Sequence, residues 1–335
     1  MNSLPFPIWA LCFYKDNILI SGGGGGKAYG VKNMLALYKA EIPLKTPIKE
    51  EDTGTDLVGS LEWLKKIDII IAGIRKDILI IRISPKSDIE KVHRIQCEEE
   101  KSISYIKGSA DNTMLLEGAD EGSIKLWRIN GGDKSLSRIT EMKHNSSLTG
   151  IDIMPNNLMV CATFKDKTCR IYEIPSGLHM KTLYFSRKCD PQGLMFKGCC
   201  FSEKNDYLYT IQTGLKAGSY FTKWDVNKGF HPINTKQIHS GQSCVLKGSK
   251  SGKYAAIGTS DGSLKVIDTQ NLSLIYSHLE FSLPVTALDF SMSEKSIFAG
   301  SADYAYKRIT VKESSKVCYF VIALIIAIII PYLFY

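Results

Sequence analysis

The amino-acid sequence predicts an all-β protein: a seven-bladed β-propeller followed by a single C-terminal transmembrane helix. Three observations predict this fold class: a recurring pair of strands with an acidic residue at the turn, a nearly constant spacing between the copies, and an uncharged apolar segment at the C-terminus. A segment that repeats at a nearly fixed spacing is typical of folds in which every copy forms one supersecondary unit. Hydrophobic residues make up 44% of the 335 residues, which is sufficient for a large core.

The clearest copies of the repeat have an acidic turn residue and, six positions later, a large apolar residue that we call the anchor. The acid and anchor pairs are Glu121 and Trp127, Asp166 and Tyr172, Asp261 and Ile267, and Asp303 and Ile309. This arrangement is typical of WD-type blades. In such blades the acid, a strand hydroxyl and a histidine from the preceding loop hydrogen-bond around the anchor, and His144 and His239 are placed for that role.

Weaker copies complete the count of seven. They are the segment 210–226 with Trp224 as its anchor, the two strands within 69–84, and the N-terminal segment around a glycine run. Successive anchors from Trp127 onward lie 45, 52, 43 and 42 residues apart, close to the roughly 40 to 45 residues of a four-stranded WD blade. The last unit, 285–311, has room for three strands. We therefore expect the N-terminal segment 3–8 to supply its outer strand and close the ring.

The C-terminal segment 317–335 has no charged residue and, as a helix, would be about 28 Å long, close to the hydrocarbon thickness of a bilayer. Lys307, Arg308, Lys312 and Lys316 precede it, so the positive-inside rule places the propeller in the cytosol. The predicted domains are a propeller at 1–311 with a glycine-rich insertion at 21–33, a basic juxtamembrane segment at 312–316, and a membrane anchor at 317–335.

Composition disfavours several other classes. The net charge of +8 comes from lysines interleaved with carboxylates, which indicates a solvated surface and no nucleic-acid partner. The nine cysteines and six histidines lack metal-ligand spacing, and reduced thiols are the simplest interpretation. No motif for a nucleophile accompanies the histidines, so catalysis by them is disfavoured.

The glycine run lies in the segment Ser21–Asn33, which reads SGGGGGKAYGVKN. Its spacing fails the Walker A motif, because Ser21 and Ala28 stand where a glycine and a hydroxyl residue belong, and it also fails the Rossmann pattern. The apolar runs on either side predict two strands, Asn17–Ser21 and Asn33–Tyr38, which also argues against a flexible linker. The run is thus expected to be an enlarged connection within the first blade.

A cytosolic seven-bladed propeller, one C-terminal span and a glycine-rich insertion with a later Gly30 and Asn33 resemble the Sec family of endoplasmic-reticulum exchange factors for the small GTPase Sar. The resemblance implies a guanine nucleotide exchange factor, not an enzyme of covalent chemistry, that starts COPII coat assembly for transport from the endoplasmic reticulum to the Golgi. It implies a Sar-type GTPase and the endoplasmic-reticulum membrane as partners, with no small-molecule substrate. A tethered WD-repeat scaffold without exchange activity is the alternative.

The resemblance also implies site residues. In that family the loop binds a potassium ion and engages the GTPase. Carried over to this chain, Asn33 and five glycines, Gly22, Gly23, Gly24, Gly25 and Gly30, would form the potassium loop. Backbone carbonyls of a glycine run and an asparagine carbonyl suit such a cation. We expect Val31, Lys32 and Asn33 to form an exposed shoulder that contacts the GTPase, and Asn33→Ala to leave the stability of the fold nearly unchanged.

Overall fold

The computed structural model of the protein describes residues 2–24, 30–96, 102–185 and 193–311. These residues form 28 strands in seven four-stranded sheets. Each sheet is one blade, and its strands are antiparallel neighbours that follow one another in sequence, except in the last blade. The all-β fold and the count of seven blades are confirmed.

The strand bounds, blade by blade, are as follows. Blade one contains β2 Ile8–Tyr14, β3 Asn17–Gly22, β4 Asn33–Lys39 and β5 Lys49–Gly54. Blade two contains β6 Val58–Leu64, β7 Ile69–Ile74, β8 Asp77–Ile83 and β9 Ile89–Gln96, and blade three contains β10 Ile103–Gly108, β11 Met114–Ala119, β12 Ser123–Ile129 and β13 Leu136–Lys143. Blade four contains β14 Leu148–Ile153, β15 Met159–Phe164, β16 Thr168–Glu173 and β17 His179–Tyr184, and blade five contains β18 Met195–Phe201, β19 Tyr207–Gly214, β20 Gly218–Asp225 and β21 His231–His239. Blade six contains β22 Ser243–Gly248, β23 Tyr254–Thr259, β24 Ser263–Asp268 and β25 Ser273–Leu279, and blade seven contains β26 Val285–Phe290, β27 Ser296–Ser301, β28 Ala305–Thr310 and β1 Asn2–Ser3.

The ring is closed by both ends of the described chain. β1 pairs with β28, with Asn2 opposite Tyr306 and Ser3 opposite Ala305. The Leu4 amide then donates a 2.9 Å hydrogen bond to the Tyr304 carbonyl. The expected N-terminal outer strand is confirmed, but it is Asn2–Ser3, and Ile8 already belongs to the innermost strand of blade one. The N-terminal segment thus joins blades one and seven and leaves no open seam.

Adjacent blades pack through glycines in their second strands. A side chain at Gly258 would clash with Val285, one at Gly118 with Leu148, and one at Gly300 with Ile8, each time within about 2.5 Å. In all three cases the neighbour is the first residue of the next blade's innermost strand. A missing Cβ therefore allows the large aliphatic side chain of one blade to lie on the backbone of the preceding one.

Every innermost strand carries a bulge near its first residue, where one residue interrupts the register. The interrupting residues line the mouth of a central cavity of about 660 Å³. They are Trp9, Gly59, Ser104, Thr149, Lys197, Cys244 and Thr286.

Deeper in the channel a set of ionic side chains crosses the axis. Lys247 of blade six lies 3.3 Å from Glu62 of blade two and 3.4 Å from Asp289 of blade seven, and Lys107 lies 3.3 Å from Asp152. Burial alone would lower the pKa of Lys247, but the two carboxylates raise it above its ordinary value. Because each buried charge has a partner, the desolvation cost of these groups is offset.

The residues 312–335, which hold the predicted basic segment and membrane anchor, lie outside the described residues. Within the described ranges, no helix has the length and hydrophobicity needed to span a membrane. The six cysteines in those ranges form no disulfide bonds with one another: Cys12, Cys161, Cys169, Cys199, Cys200 and Cys244.

Candidate functional site

The glycine loop connects β3 to β4 within blade one. The two strands remain paired up to the loop, with Ser21 opposite Leu35 and Gly22 opposite Met34. The chain after the loop is therefore a strand, as predicted, where a phosphate-binding loop would lead into a helix. The described part of the loop comprises Gly22–Gly24 and Gly30–Asn33, and Gly25 of the predicted potassium site lies outside it.

Gly22 and Gly23 are required by close backbone packing. A Cβ on Gly22 would lie 2.1 Å from the Pro7 carbonyl oxygen and 2.3 Å from the Phe6 ring. A Cβ on Gly23 would lie 2.3 Å from Asn33 Oδ1, and the φ of +144° at Gly23 is one that side-chain-bearing residues rarely adopt. These two glycines thus have a steric role that does not depend on an ion.

The backbone of Gly23 is held on both sides. Its amide donates a 3.1 Å hydrogen bond to the Pro7 carbonyl. Its carbonyl accepts a 2.6 Å hydrogen bond from the indole Nε1 of Trp9. The point at which the chain leaves β3 is therefore attached to the segment that enters the innermost strand.

Asn33 closes the loop from the other side. Its side chain is fully buried, and its Nδ2 donates a 3.1 Å hydrogen bond to the Gly54 carbonyl at the end of β5. The register between β4 and β5 shifts at this residue, which places Asn33 opposite Gly54. Since Oδ1 faces the α-carbon of Gly23, the amide spans the base of the loop.

The predicted contact residues differ in exposure. Lys32 is exposed, with its ammonium 4.0 Å from the Asp52 carboxylate, and Val31 is half-buried against the hydrophobic cluster of blades one and seven. The expectation that Asn33 lies on the exposed shoulder is wrong, because its side chain is buried at the base of the loop and bonded to the Gly54 carbonyl. Gly30 has a φ of +82°, which favours glycine, and among the described residues no atom lies within 4 Å of the position that a Cβ would take.

The residues at the base of the loop offer neutral oxygen donors. They are backbone carbonyls of the glycines and the Asn33 side-chain carbonyl, and this donor set fits a monovalent cation better than a divalent one. No cluster of three or more His, Cys, Asp or Glu side chains suited to a metal occurs in the described part of the chain. The Gly23 carbonyl already accepts the bond from Trp9, which limits the direction in which it can face an ion.

In two blades the turn acid lies beside the expected histidine, and in one of them, Asp166 with His144, the two side chains are hydrogen-bonded. His144 Nε2 lies 2.5 Å from the Asp166 carboxylate, and His239 Nε2 lies 3.2 Å from Asp261. Burial alone would raise the pKa of Asp166, but hydrogen bonds from Thr168 and His144 lower it below its ordinary value.

In the other two blades the partners differ. The Asp303 carboxylate accepts hydrogen bonds from the amide and hydroxyl of Ser282. In blade three the Ser104 hydroxyl donates a hydrogen bond to the carboxylate of Asp120, whereas the spacing indicates its neighbour Glu121 as the turn acid. All these groups tie second-to-third-strand turns to the start of the neighbouring strand, which is a structural role.

The anchors are bonded separately from the turn acids. Trp127 Nε1 donates a 2.8 Å hydrogen bond to Glu117, and Trp224 Nε1 donates a 2.7 Å hydrogen bond to the Thr210 hydroxyl, both on the adjacent second strand. The sequence predicts one hydrogen-bond network that joins the turn acid and the anchor. In the structure the turn acid and the anchor instead take part in two separate sets of hydrogen bonds.

The glycine loop shares one face of the propeller with these turns, because it is the same second-to-third-strand connection in blade one. We call this the loop face. The cavity mouth opens there, since Trp9 contributes both to the mouth and to the loop. The side chain of Tyr304, in the equivalent turn of neighbouring blade seven, is 37% exposed, and that of Leu283 beside it is 48% exposed.

Sequence reasoning did not find Trp9, and it misjudged the burial of Asn33. A single tryptophan at the start of a strand matches no sequence motif that would indicate a function. The bulge in β2, which the sequence does not predict, directs the Trp9 side chain toward the loop. The position of Gly54 opposite Asn33 likewise depends on a register that no local pattern specifies.

No protein-family profile matches the chain. Among curated proteins, it is 25% identical over 334 aligned residues to the guanine nucleotide-exchange factor SEC12 of Mus musculus, covering 81% of this chain and 78% of the relative. The exchange factor of the same name from Rattus norvegicus matches equally well. The chain is also 26% identical over 225 residues to eukaryotic translation initiation factor 3 subunit I of Neurospora crassa, covering 64% of this chain and 62% of that relative.

The two exchange factors match a larger part of the chain than the initiation factor subunit does. The part of the chain that aligns with them includes most of the described propeller, which has seven sheets of four strands each. The chain is thus a seven-bladed β-propeller that is similar over most of its length to the SEC12 exchange factors.

Proposed function

We propose that the protein is a guanine nucleotide exchange factor for a Sar-type small GTPase at the endoplasmic-reticulum membrane, where it starts COPII coat assembly. The observation that carries this proposal is the glycine loop, which is fixed at its base by Gly22, Gly23 and Asn33 in blade one of a propeller similar to known exchange factors. A glycine-rich loop is costly to order, so a loop fixed in this way indicates a use beyond connecting two strands.

The proposed mechanism breaks no covalent bond. The loop, with Lys32 exposed and Val31 beside it, contacts the nucleotide-binding region of the GTPase and favours the conformation that lacks GDP and magnesium. Because a partner shifts an equilibrium only by its differential affinity for the two states, the loop has to bind the nucleotide-free GTPase more tightly than the GDP-bound one. Entry of GTP then releases the protein.

Rigidity at the base of the loop supports this mechanism. A contact made by an ordered loop loses less conformational entropy on binding than one made by a flexible loop. Asn33 acts here as a buried clamp and Lys32 as a contact residue that pairs with Asp52 in the free protein. We assign the docking surface to the loop face, where Tyr304 and Leu283 of the adjacent blade offer exposed apolar side chains.

We also propose that a potassium ion orders the outer part of the loop. Asn33 and the glycines 22–25 and 30 would hold it through neutral oxygens, and the bound ion would supply rigidity only. The residues 317–335 would anchor the protein in the endoplasmic-reticulum membrane with the propeller in the cytosol.

The experiment measures release of a fluorescent GDP analogue from a Sar-type GTPase, with and without the full-length chain in detergent, in potassium or lithium buffer. We expect faster release with the chain present, and less acceleration in lithium. Equal release with and without the chain would refute the exchange function and support a scaffold. Tight binding of the analogue by the chain alone would instead support an enzyme, and equal activity in the two salts would refute the role of potassium.

A further inference from the structure

We infer that Trp9 is a positioning residue for the glycine loop: its indole N–H holds the Gly23 carbonyl and thereby fixes the direction in which the loop leaves β3. The effect on the loop follows from the structure of this chain alone. The consequence for nucleotide release rests on the proposed function.

Trp9 occupies a position that is repeated in every blade. It is the bulge residue of the innermost strand of blade one, and the equivalent residues in the other blades are glycine, serine, threonine, lysine, cysteine and threonine. An aromatic ring occurs at this position in blade one alone, which is also the blade that carries the glycine loop.

The role of Trp9 in the hydrophobic core is small. The side chains of Trp63, Trp127 and Trp224 pack in hydrophobic clusters between blades. Trp9, by contrast, is half-buried, lies at the cavity mouth and does not belong to the clusters of buried residues found in the described chain. Its main contribution to the structure is therefore the hydrogen bond that its indole N–H donates to the Gly23 carbonyl.

That contact fixes one residue from both sides. Gly23 is bonded through its amide to the Pro7 carbonyl and through its carbonyl to Trp9 Nε1, at 3.1 and 2.6 Å. Pro7 and Trp9 are two residues apart, so the two bonds hold the peptide units on either side of Gly23 to one short segment. Since Gly23 has a φ of +144°, the direction of the chain changes at this residue.

The matched variants are Trp9→Phe and Trp63→Phe in the full-length chain. Both remove an indole N–H from an innermost strand, but Trp63 donates to Asp68, 3.3 Å away at the opposite end of the channel. Amide hydrogen exchange is measured for peptides that contain Gly23 and Gly24 and for peptides from 30–33. GDP release from the GTPase is measured at saturating and at low concentrations of the chain, and thermal unfolding is followed in parallel.

We expect Trp9→Phe to speed amide exchange of the loop about five-fold, the effect of one neutral hydrogen bond, while Trp63→Phe leaves the loop unchanged. The maximal rate of GDP release should fall by a similar factor, more than the apparent affinity for the GTPase changes. Unchanged loop exchange in Trp9→Phe, or an equal effect in both variants, would overturn the inference. Should the wild-type chain not accelerate GDP release, the proposed function fails, and the amide exchange alone decides the role of Trp9.

Discussion

At the scale of single residues, the structure divides the glycine loop into parts with different roles. Gly22 and Gly23 are glycines because a Cβ would collide with Pro7, Phe6 or Asn33. The sequence indicated that glycines were necessary here, but it suggested ion ligation as the reason. The steric reason depends on residues that approach from another strand and from the N-terminal segment, which no local pattern contains.

Asn33 changes most between sequence and structure. As an exposed residue it could be replaced without loss of stability, but it is fully buried and bonded to Gly54. We therefore expect Asn33→Ala to lower the free energy of unfolding by about 1 kcal/mol, the net contribution of one hydrogen bond, and also to lower exchange activity. Chemical denaturation measures the first effect. Asn234→Ala, at an exposed site on β21, is the control, and equal stability of the two variants would contradict the assigned role.

At the scale of elements, the blades were predictable because each repeats a local signal: alternating strands, an acidic turn and an anchor six residues later. The strands β3 and β4 begin where predicted, at Asn17 and Asn33, and each ends one residue beyond the predicted boundary. The bulges and the inter-blade glycine contacts were not predicted, since they arise only when neighbouring blades pack together.

The turn acids give a prediction about pH. The pKa of Asp166 is lowered in the folded protein, so the stabilisation from its carboxylate is complete above about pH 3.8 and is lost as the pH falls through the lower folded-state value. Asp166→Asn should therefore cost about 1 kcal/mol at pH 7, a modest value because the side chain is 35% exposed. The difference from wild type should shrink below pH 3.8.

Urea denaturation at several pH values tests this prediction. Asp16→Asn, at an exposed site between β2 and β3, is the control and should have no comparable effect at pH 7. A stability difference for Asp166→Asn that is constant from pH 7 to pH 3 would show that the charge of Asp166 is not involved.

At the scale of the whole molecule, ring closure makes the stability of the propeller depend on the N-terminal strand β1, which pairs with β28. Deletion of residues 1–3 removes β1 and its pairing with β28, and we expect a loss of about 2 kcal/mol in the free energy of unfolding. The double variant Asn2→Ala, Ser3→Ala retains the backbone bonds and should unfold like the wild type. If the deletion and the double variant proved equally stable, pairing of β1 would not contribute to closure.

The architecture bears on the proposed exchange function. The base of the loop is bonded to β5 within blade one, and Val31 packs against the hydrophobic cluster shared by blades one and seven. A rigid base is the property on which the proposed exchange mechanism depends.

The most direct test compares GDP release from the GTPase in the presence of Gly23→Ala and of Gly132→Ala in the full-length chain. A Cβ at Gly23 collides with Asn33, whereas a Cβ at Gly132, between β12 and β13, has no atom of the described residues within 4 Å. We predict that Gly23→Ala lowers the rate at least about ten-fold, as expected when a positioning element is displaced, and that Gly132→Ala matches the wild type. Wild-type rates of GDP release with Gly23→Ala would contradict the account.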